Sequence, residues 1–179
     1  MKLLQWQKPA KRWVLKTPHH LEFLDLVDKY FNDVQFIWTH RNVQEAIPSY
    51  LSMIAYSRAM FSDEVSAQEV ANHWVKKIGY MLTRALEYRE KNNHIQKFID
   101  VSYQDLVEDN QNVMKRIYSN RNSEITSELQ QIFENSERTN PKGKYGIHKY
   151  HLKDFGIDED FIDKYTKEYQ LLQEELLAK

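Results

Sequence analysis

One segment limits the choice of fold more than any other. An apolar run, Val34 to Trp38, leads through Thr39 and His40 to Arg41, and a helix-patterned stretch from about Ala46 to Met60 follows. Strand, turn and helix come in that order, with an arginine at the turn and a serine, Ser49, eight positions later. This layout puts a cation and a hydroxyl around the N-terminal end of a helix. Free N–H groups and the helix dipole favour an anion there, most often a phosphate. Arginine adds a planar fork that grips two phosphate oxygens at once. The spacing points to a phosphate site at the carboxyl edge of a sheet. The bland alternative pairs Arg41 with Glu45 on the helix surface and leaves Ser49 to cap locally.

The rest of the chain repeats this rhythm. Arg12 to Leu15 reads as a short buried strand, and Lys16-Thr17-Pro18-His19-His20 as the turn after it. Leu21, Leu24, Leu26, Val27 and Tyr30 then recur at helical spacing. Ser66 to Asn92 is a long amphipathic helix with Val70, Trp74, Ile78, Met81, Leu82 and Leu86 on one face. Phe98 to Ser102 is a third strand, and Tyr103 to Glu108 leads into a helix carrying Val113, Ile117 and Tyr118. Another helix is expected over Ser123 to Ser136. A basic, glycine-bearing loop, Asn140 to Gly146, precedes a helical tail from Leu152 to Lys179. Strands alternating with helices imply an α/β fold, a parallel sheet covered by helices.

Composition narrows the function. The 179 residues suit a single domain or a large part of one. Charges nearly cancel, 25 basic against 26 acidic for a net charge of -1, so no overall basic field draws nucleic acid. Without cysteine there is no disulfide framework, thiolate metal site or thiol nucleophile. No apolar run reaches the roughly 20 residues of a membrane helix, and no signal-peptide core opens the chain. These features together predict a cytoplasmic protein. His148 and His151 stand three apart without a third ligand nearby, so no metal is expected.

Several motifs in order carry a resemblance to a known family. Trp13 to Leu21 resembles the strand-then-LKxPxHL segment of the sulfotransferases, especially their largely bacterial branch. Phe36 to Ser49 resembles that family's 3′-phosphate motif, and Tyr103-Gln104-Asp105-Leu106 its YEDL segment. Pro141 to Gly146 resembles its closing RKGxxG loop. His148 to Tyr150, Leu152 and Asp154 to Ile157 resemble its C-terminal tail. Order and spacing agree from about Arg12 to about Tyr169. The resemblance implies a three-layer, P-loop-like parallel sheet. It also implies sulfuryl transfer from 3′-phosphoadenosine 5′-phosphosulfate to a hydroxyl or amine.

By that resemblance Arg41 and Ser49 contact the 3′-phosphate, with Lys142 and Gly143 wrapping it, and Tyr103 lies against the adenine. Lys16 steadies the sulfuryl group, and His20 takes the acceptor's proton, with His19 as its rival. Asn42 and His40 shape the turn. Two features depart from the family: Pro141 replaces the closing loop's arginine, and no glycine-rich 5′-phosphosulfate loop precedes Lys16. The chain is therefore expected to lack the first βα unit of the fold, leaving an open sheet edge for self-association or a complementary chain. The rival function is a non-catalytic nucleotide- or partner-binding module, or an inactive fragment. A P-loop kinase is disfavoured, since no Walker lysine is found.

Overall fold

The computed structural model describes residues 2–8, 12–31, 33–92, 97–139 and 150–177. In chain order the elements are α1 (Lys2–Gln7), a 3₁₀ turn at Pro18–Glu22, α2 (Leu24–Tyr30), β1 (Phe36–His40), α3 (Val43–Ala59) and α4 (Ala67–Lys91). They continue with β2 (Phe98–Ser102), α5 (Tyr103–Glu108), α6 (Asn110–Asn120), α7 (Ser127–Thr139), a 3₁₀ turn at Leu152–Phe155 and α8 (Glu159–Leu177). β1 and β2 pair in parallel, Phe36 opposite Phe98 through to His40 opposite Ser102.

Alternation along a strand sorts the side chains. Phe36, Trp38, His40, Phe98 and Asp100 share one face, and Ile37, Thr39, Ile99 and Val101 the other. The first face packs under α3, α4 and α8, where Trp38, Leu51, Val70, Val75 and Ile162 form the main core. Fully burying aliphatic side chains of this size contributes roughly 2 kcal/mol each, which fastens α8 to the sheet side of α4. On the second face Val113 of α6 packs against Ile99 and Val101. Helices thus lie on both faces, the three-layer α/β arrangement expected.

α4 shows how closely its sequence dictates the element. Ser66 caps it by accepting the Glu69 N–H at 3.2 Å, and Asn92 ends it by donating from its side chain to the Tyr88 carbonyl. Its deepest positions are small ones, including Ala71, Gly79 and Ala85. A Cβ at Gly79 would sit 2.6 Å from the Tyr165 carbonyl oxygen, so glycine is what lets α8 cross this closely.

The predicted strand over Arg12 to Leu15 is not formed. Val14 is 85% exposed and Leu15 is also largely open. A strand persists only where a neighbour takes its backbone N–H and C=O groups. Among the described residues the sheet holds β1 and β2 alone, and the second edge of β1 carries no partner. On the α6 side Ile37 is likewise 46% exposed, because α6 covers β2 and not β1. No helix among the described residues is long and apolar enough to cross a membrane.

Candidate functional site

β1 delivers Arg41 to the carboxyl end of the sheet, and Asn42 starts α3 at once. The Asn42 side chain accepts the Gln44 N–H at 2.8 Å, and its carbonyl accepts those of Glu45 and Ala46. Asn42 therefore shapes the turn as expected. The same bonds occupy the first-turn amides, however, so an anion here would depend on side chains more than on free helix N–H groups.

Two of the candidate side chains meet here. The Arg41 guanidinium lies 4.6 Å from the centre of the Tyr103 ring, a cation–π contact across the ends of the two strands. Tyr103 is set there because β2 ends at Ser102, whose hydroxyl caps α5 by accepting the Gln104 and Asp105 N–H groups. Arg41 Nε is buried without a partner. The guanidinium also meets Glu45 at 3.6 Å, but these side chains are 39% and 66% exposed, and such surface pairs contribute little. The bland pairing is thus present and weak. Ser49 lies four residues beyond Glu45 on the same helical stripe. It is half-buried, and its hydroxyl makes no hydrogen bond among the described residues. Arg41 thus offers a forked cation with an orphaned donor, and Ser49 a hydroxyl without a partner among the described residues.

The segment that carries Lys16 and His20 is built differently. The Thr17 hydroxyl accepts the His19 N–H at 3.4 Å and starts the 3₁₀ turn. A Glu22–Lys77 pair at 2.6 Å pins that turn to α4. The His19 ring stands 6.5 Å from Trp74, and Trp74 meets the Tyr50 ring edge-on at 5.4 Å. Trp74 is therefore a common neighbour of this arm and of the residue beside Ser49. Its indole nitrogen is buried and unpartnered. Lys16 is exposed and His20 half-buried, and neither forms a hydrogen bond or ion pair with Arg41, Ser49 or Tyr103 among the described residues. A hollow of about 510 Å³ on α4, lined by Glu69, Asn72, His73, Lys76 and Lys77, contains none of the expected site residues. Lys142 and Gly143 lie outside the described residues, as do Pro141, Lys144 and His148.

The sequence reading assigned His40 to the turn. It is instead 3% exposed, at the centre of a polar chain under the sheet end. Its Nε2 lies 2.8 Å from Asp100 Oδ1 and its Nδ1 3.1 Å from the Tyr169 hydroxyl on α8. Arg89 binds the same Asp100 through two bonds, 2.6 and 2.7 Å. Burial alone would raise the Asp100 pKa. The Arg89 bonds and His40 outweigh it and hold the carboxyl well below the usual carboxylate range. An ionised Asp100 accepts, so Nε2 carries a proton and donates to it, while Nδ1 pairs with the Tyr169 hydroxyl. Burial pushes the Tyr169 phenol up to about 12, aided by the Asp100 charge and opposed by the Arg41 N–H. The Trp38, His40 and Tyr169 rings stack on one another at 5.2 to 5.8 Å. A signal for this chain existed: His40 keeps the period-two phase of Phe36 and Trp38, and Asp100 interrupts an apolar strand.

The fold that carries these residues has counterparts among known proteins. A model of the sulfotransferase family matches residues 2–127, and the chain belongs to that family. Its structure is similar to that of sulfotransferase STF9 from Mycobacterium avium, with 24% identity and a TM-score of 0.82. The alignment covers 94% of this chain and 43% of that chain. It is also similar to sulfotransferase STF1 from Mycobacterium tuberculosis H37Rv, at 24% identity and a TM-score of 0.75, over 90% of this chain and 40% of that chain. The chain thus spans less than half the length of these solved relatives. No curated protein matches it.

Proposed function

We propose that this chain takes part in sulfuryl transfer from 3′-phosphoadenosine 5′-phosphosulfate to a hydroxyl or amine, and that it supplies the grip on the 3′-phosphate. The observation that carries this reading is Arg41: at the sheet edge, stacked on Tyr103, with a buried and unpartnered Nε. Its guanidinium and the Ser49 hydroxyl would bind the phosphate oxygens. In the transfer, the acceptor oxygen or nitrogen forms a bond to sulfur while the bond from sulfur to the 5′-phosphate oxygen breaks. 3′,5′-Adenosine bisphosphate leaves, and the acceptor's proton passes to His20, with His19 as the alternative base. Lys16 would offset charge on the departing oxygen.

One observation favours a second reading. Val14, Leu15 and Ile37 are exposed apolar residues, the second edge of β1 carries no partner among the described residues, and the solved relatives are more than twice as long. An open edge of this kind suits pairing with another strand. On this reading the chain is a nucleotide-binding module, active only with a complementary partner or not at all. Calorimetry with 3′,5′-adenosine bisphosphate tests the shared part of both readings: the chain should bind it, and Arg41→Ala should weaken binding. The absence of heat at millimolar nucleotide would remove the phosphate assignment. Binding without turnover on phenol and amine acceptors would favour the module.

A further inference from the structure

We infer that Asp163 is a positioning residue for Arg41: through Gln44 it fixes the turn from which the guanidinium meets the 3′-phosphate. The inference rests on the phosphate reading above and extends it to α8, a helix that the strand-to-helix motif does not include.

Three observations carry it. First, Gln44 joins the turn to α8. Its backbone N–H donates to the Asn42 side chain at 2.8 Å, closing the turn that Arg41 enters. Its side-chain Nε2 donates to Asp163 Oδ1 at 2.5 Å and to the Glu159 carbonyl oxygen at 3.4 Å. Both partners on α8 are acceptors, so the amide has one orientation, nitrogen toward α8. Second, Asp163 is itself held. Gln170 Nε2 donates to the same Oδ1 at 2.8 Å and to the Thr166 hydroxyl at 2.9 Å. Thr166 is buried and donates its own proton to the Ile162 carbonyl at 3.0 Å, which leaves its oxygen to accept from Gln170. Third, the helix that carries Asp163 is firmly seated. α8 crosses α4 at Gly79 with no room for a Cβ, and Ile162, the residue before Asp163, is fully buried. The Arg41 head, by contrast, rests on a ring face and an exposed carboxylate. A binding group on a long side chain gains affinity when its root is fixed before the ligand arrives. The turn at Arg41 and Asn42 is that root, and the Gln44–Asp163 bond ties it to α8.

A bond that merely fastens two helices predicts something different from a positioning bond, and two ligands separate them. 3′,5′-Adenosine bisphosphate and adenosine 5′-monophosphate differ by the phosphate that Arg41 would hold. Two substitutions separate the bond from the charge: Asp163→Ala removes both, and Asp163→Asn keeps an oxygen that can accept from Gln44. Asp163→Ala should weaken the bisphosphate about fivefold and leave the monophosphate within about twofold of the unaltered chain. Asp163→Asn should bind both nucleotides within about twofold of the unaltered chain. Added to Arg41→Ala, Asp163→Ala should cost nothing further, since the group it positions is already gone. Four results would each overturn the inference while leaving the phosphate reading standing: equal weakening of both ligands by Asp163→Ala, no weakening, a loss in Asp163→Asn as large as in Asp163→Ala, or additivity with Arg41→Ala. If the unaltered chain binds neither nucleotide, the phosphate reading itself falls and this inference with it. Circular dichroism checks that Asp163→Ala folds. If it does not, Gln44→Ala tests the other end of the same bond, and bisphosphate binding equal to that of the unaltered protein would overturn the inference.

Discussion

Arg41 and Lys16 both follow segments that look like strands, yet their surroundings differ in kind. Arg41 emerges from a paired strand, above a stack of three buried rings and a carboxylate clamped by Arg89. Lys16 emerges from an unpaired segment with Val14 and Leu15 open to water. The two segments are alike in apolar content, and what separates them is a ladder neighbour. β2 gives β1 its hydrogen bonds and also brings Asp100 and Tyr103 alongside, so pairing and site-building are the same event. The Lys16 arm has no such neighbour among the described residues; only the 3₁₀ turn that follows it is pinned, to α4 through Glu22 and Lys77.

Substitutions on the two sides should therefore behave differently. The largest effect is expected for Asp100→Ala, which strands Arg89 and His40 without their shared partner. It should lower stability by about 3 kcal/mol in a denaturant titration. A loss below about 1 kcal/mol would mean that the clamp is not structural. Gly79→Ala comes next, at about 2 kcal/mol, because the new methyl meets Tyr165 backbone and α8 must shift.

Tyr169→Phe should be milder, about 1 kcal/mol at neutral pH, and its cost should depend on pH. The folded phenol titrates near 12 against roughly 10 when unfolded, so its neutral form favours folding. The stability margin of the unaltered protein over Tyr169→Phe should hold below about pH 10 and shrink as pH rises toward 12, readable in melting curves. Asp100 works in the opposite sense. Its lowered folded pKa contributes stability that is present above about pH 4 and lost as pH falls further. The margin over Asp100→Asn should accordingly narrow in acid. Smallest of all, Lys16→Ala should leave the melting temperature unchanged, because that side chain is exposed. A clear drop would show that the arm is more structured than its exposure indicates.

Much of this architecture was legible in the sequence, and the failures are informative. β2 was read to the residue, because Phe98 to Ser102 is an apolar run that closes on Ser102, the cap of the next helix. α4 was read to within its caps, Ser66 and Asn92. The buried face of α4 was only partly seen: Ala71, Gly79 and Ala85 carry little hydrophobic signal, yet they set how closely α8 approaches. Arg12 to Leu15 failed because strand pattern is local and strand formation is not. In the site, Arg41 and Tyr103 were read as candidates and the structure brings them into contact. The chain beneath them was missed. Tyr169 sits in phase with Phe161 and Tyr165 and reads as an ordinary core position. Nothing local marks that its hydroxyl reaches the His40 ring 129 positions earlier, a link that exists only once α8 has crossed the sheet end.

The central claim is that Arg41 and Ser49 recognise a phosphate on the 3′ position of an adenine nucleotide. Parallel titration of the unaltered chain with 3′,5′-adenosine bisphosphate and with adenosine 5′-monophosphate isolates that one group. A charge-assisted grip predicts the bisphosphate to bind at least about tenfold more tightly, with the advantage lost in Arg41→Ala. Equal affinity for the two nucleotides, or an advantage that survives Arg41→Ala, would contradict it.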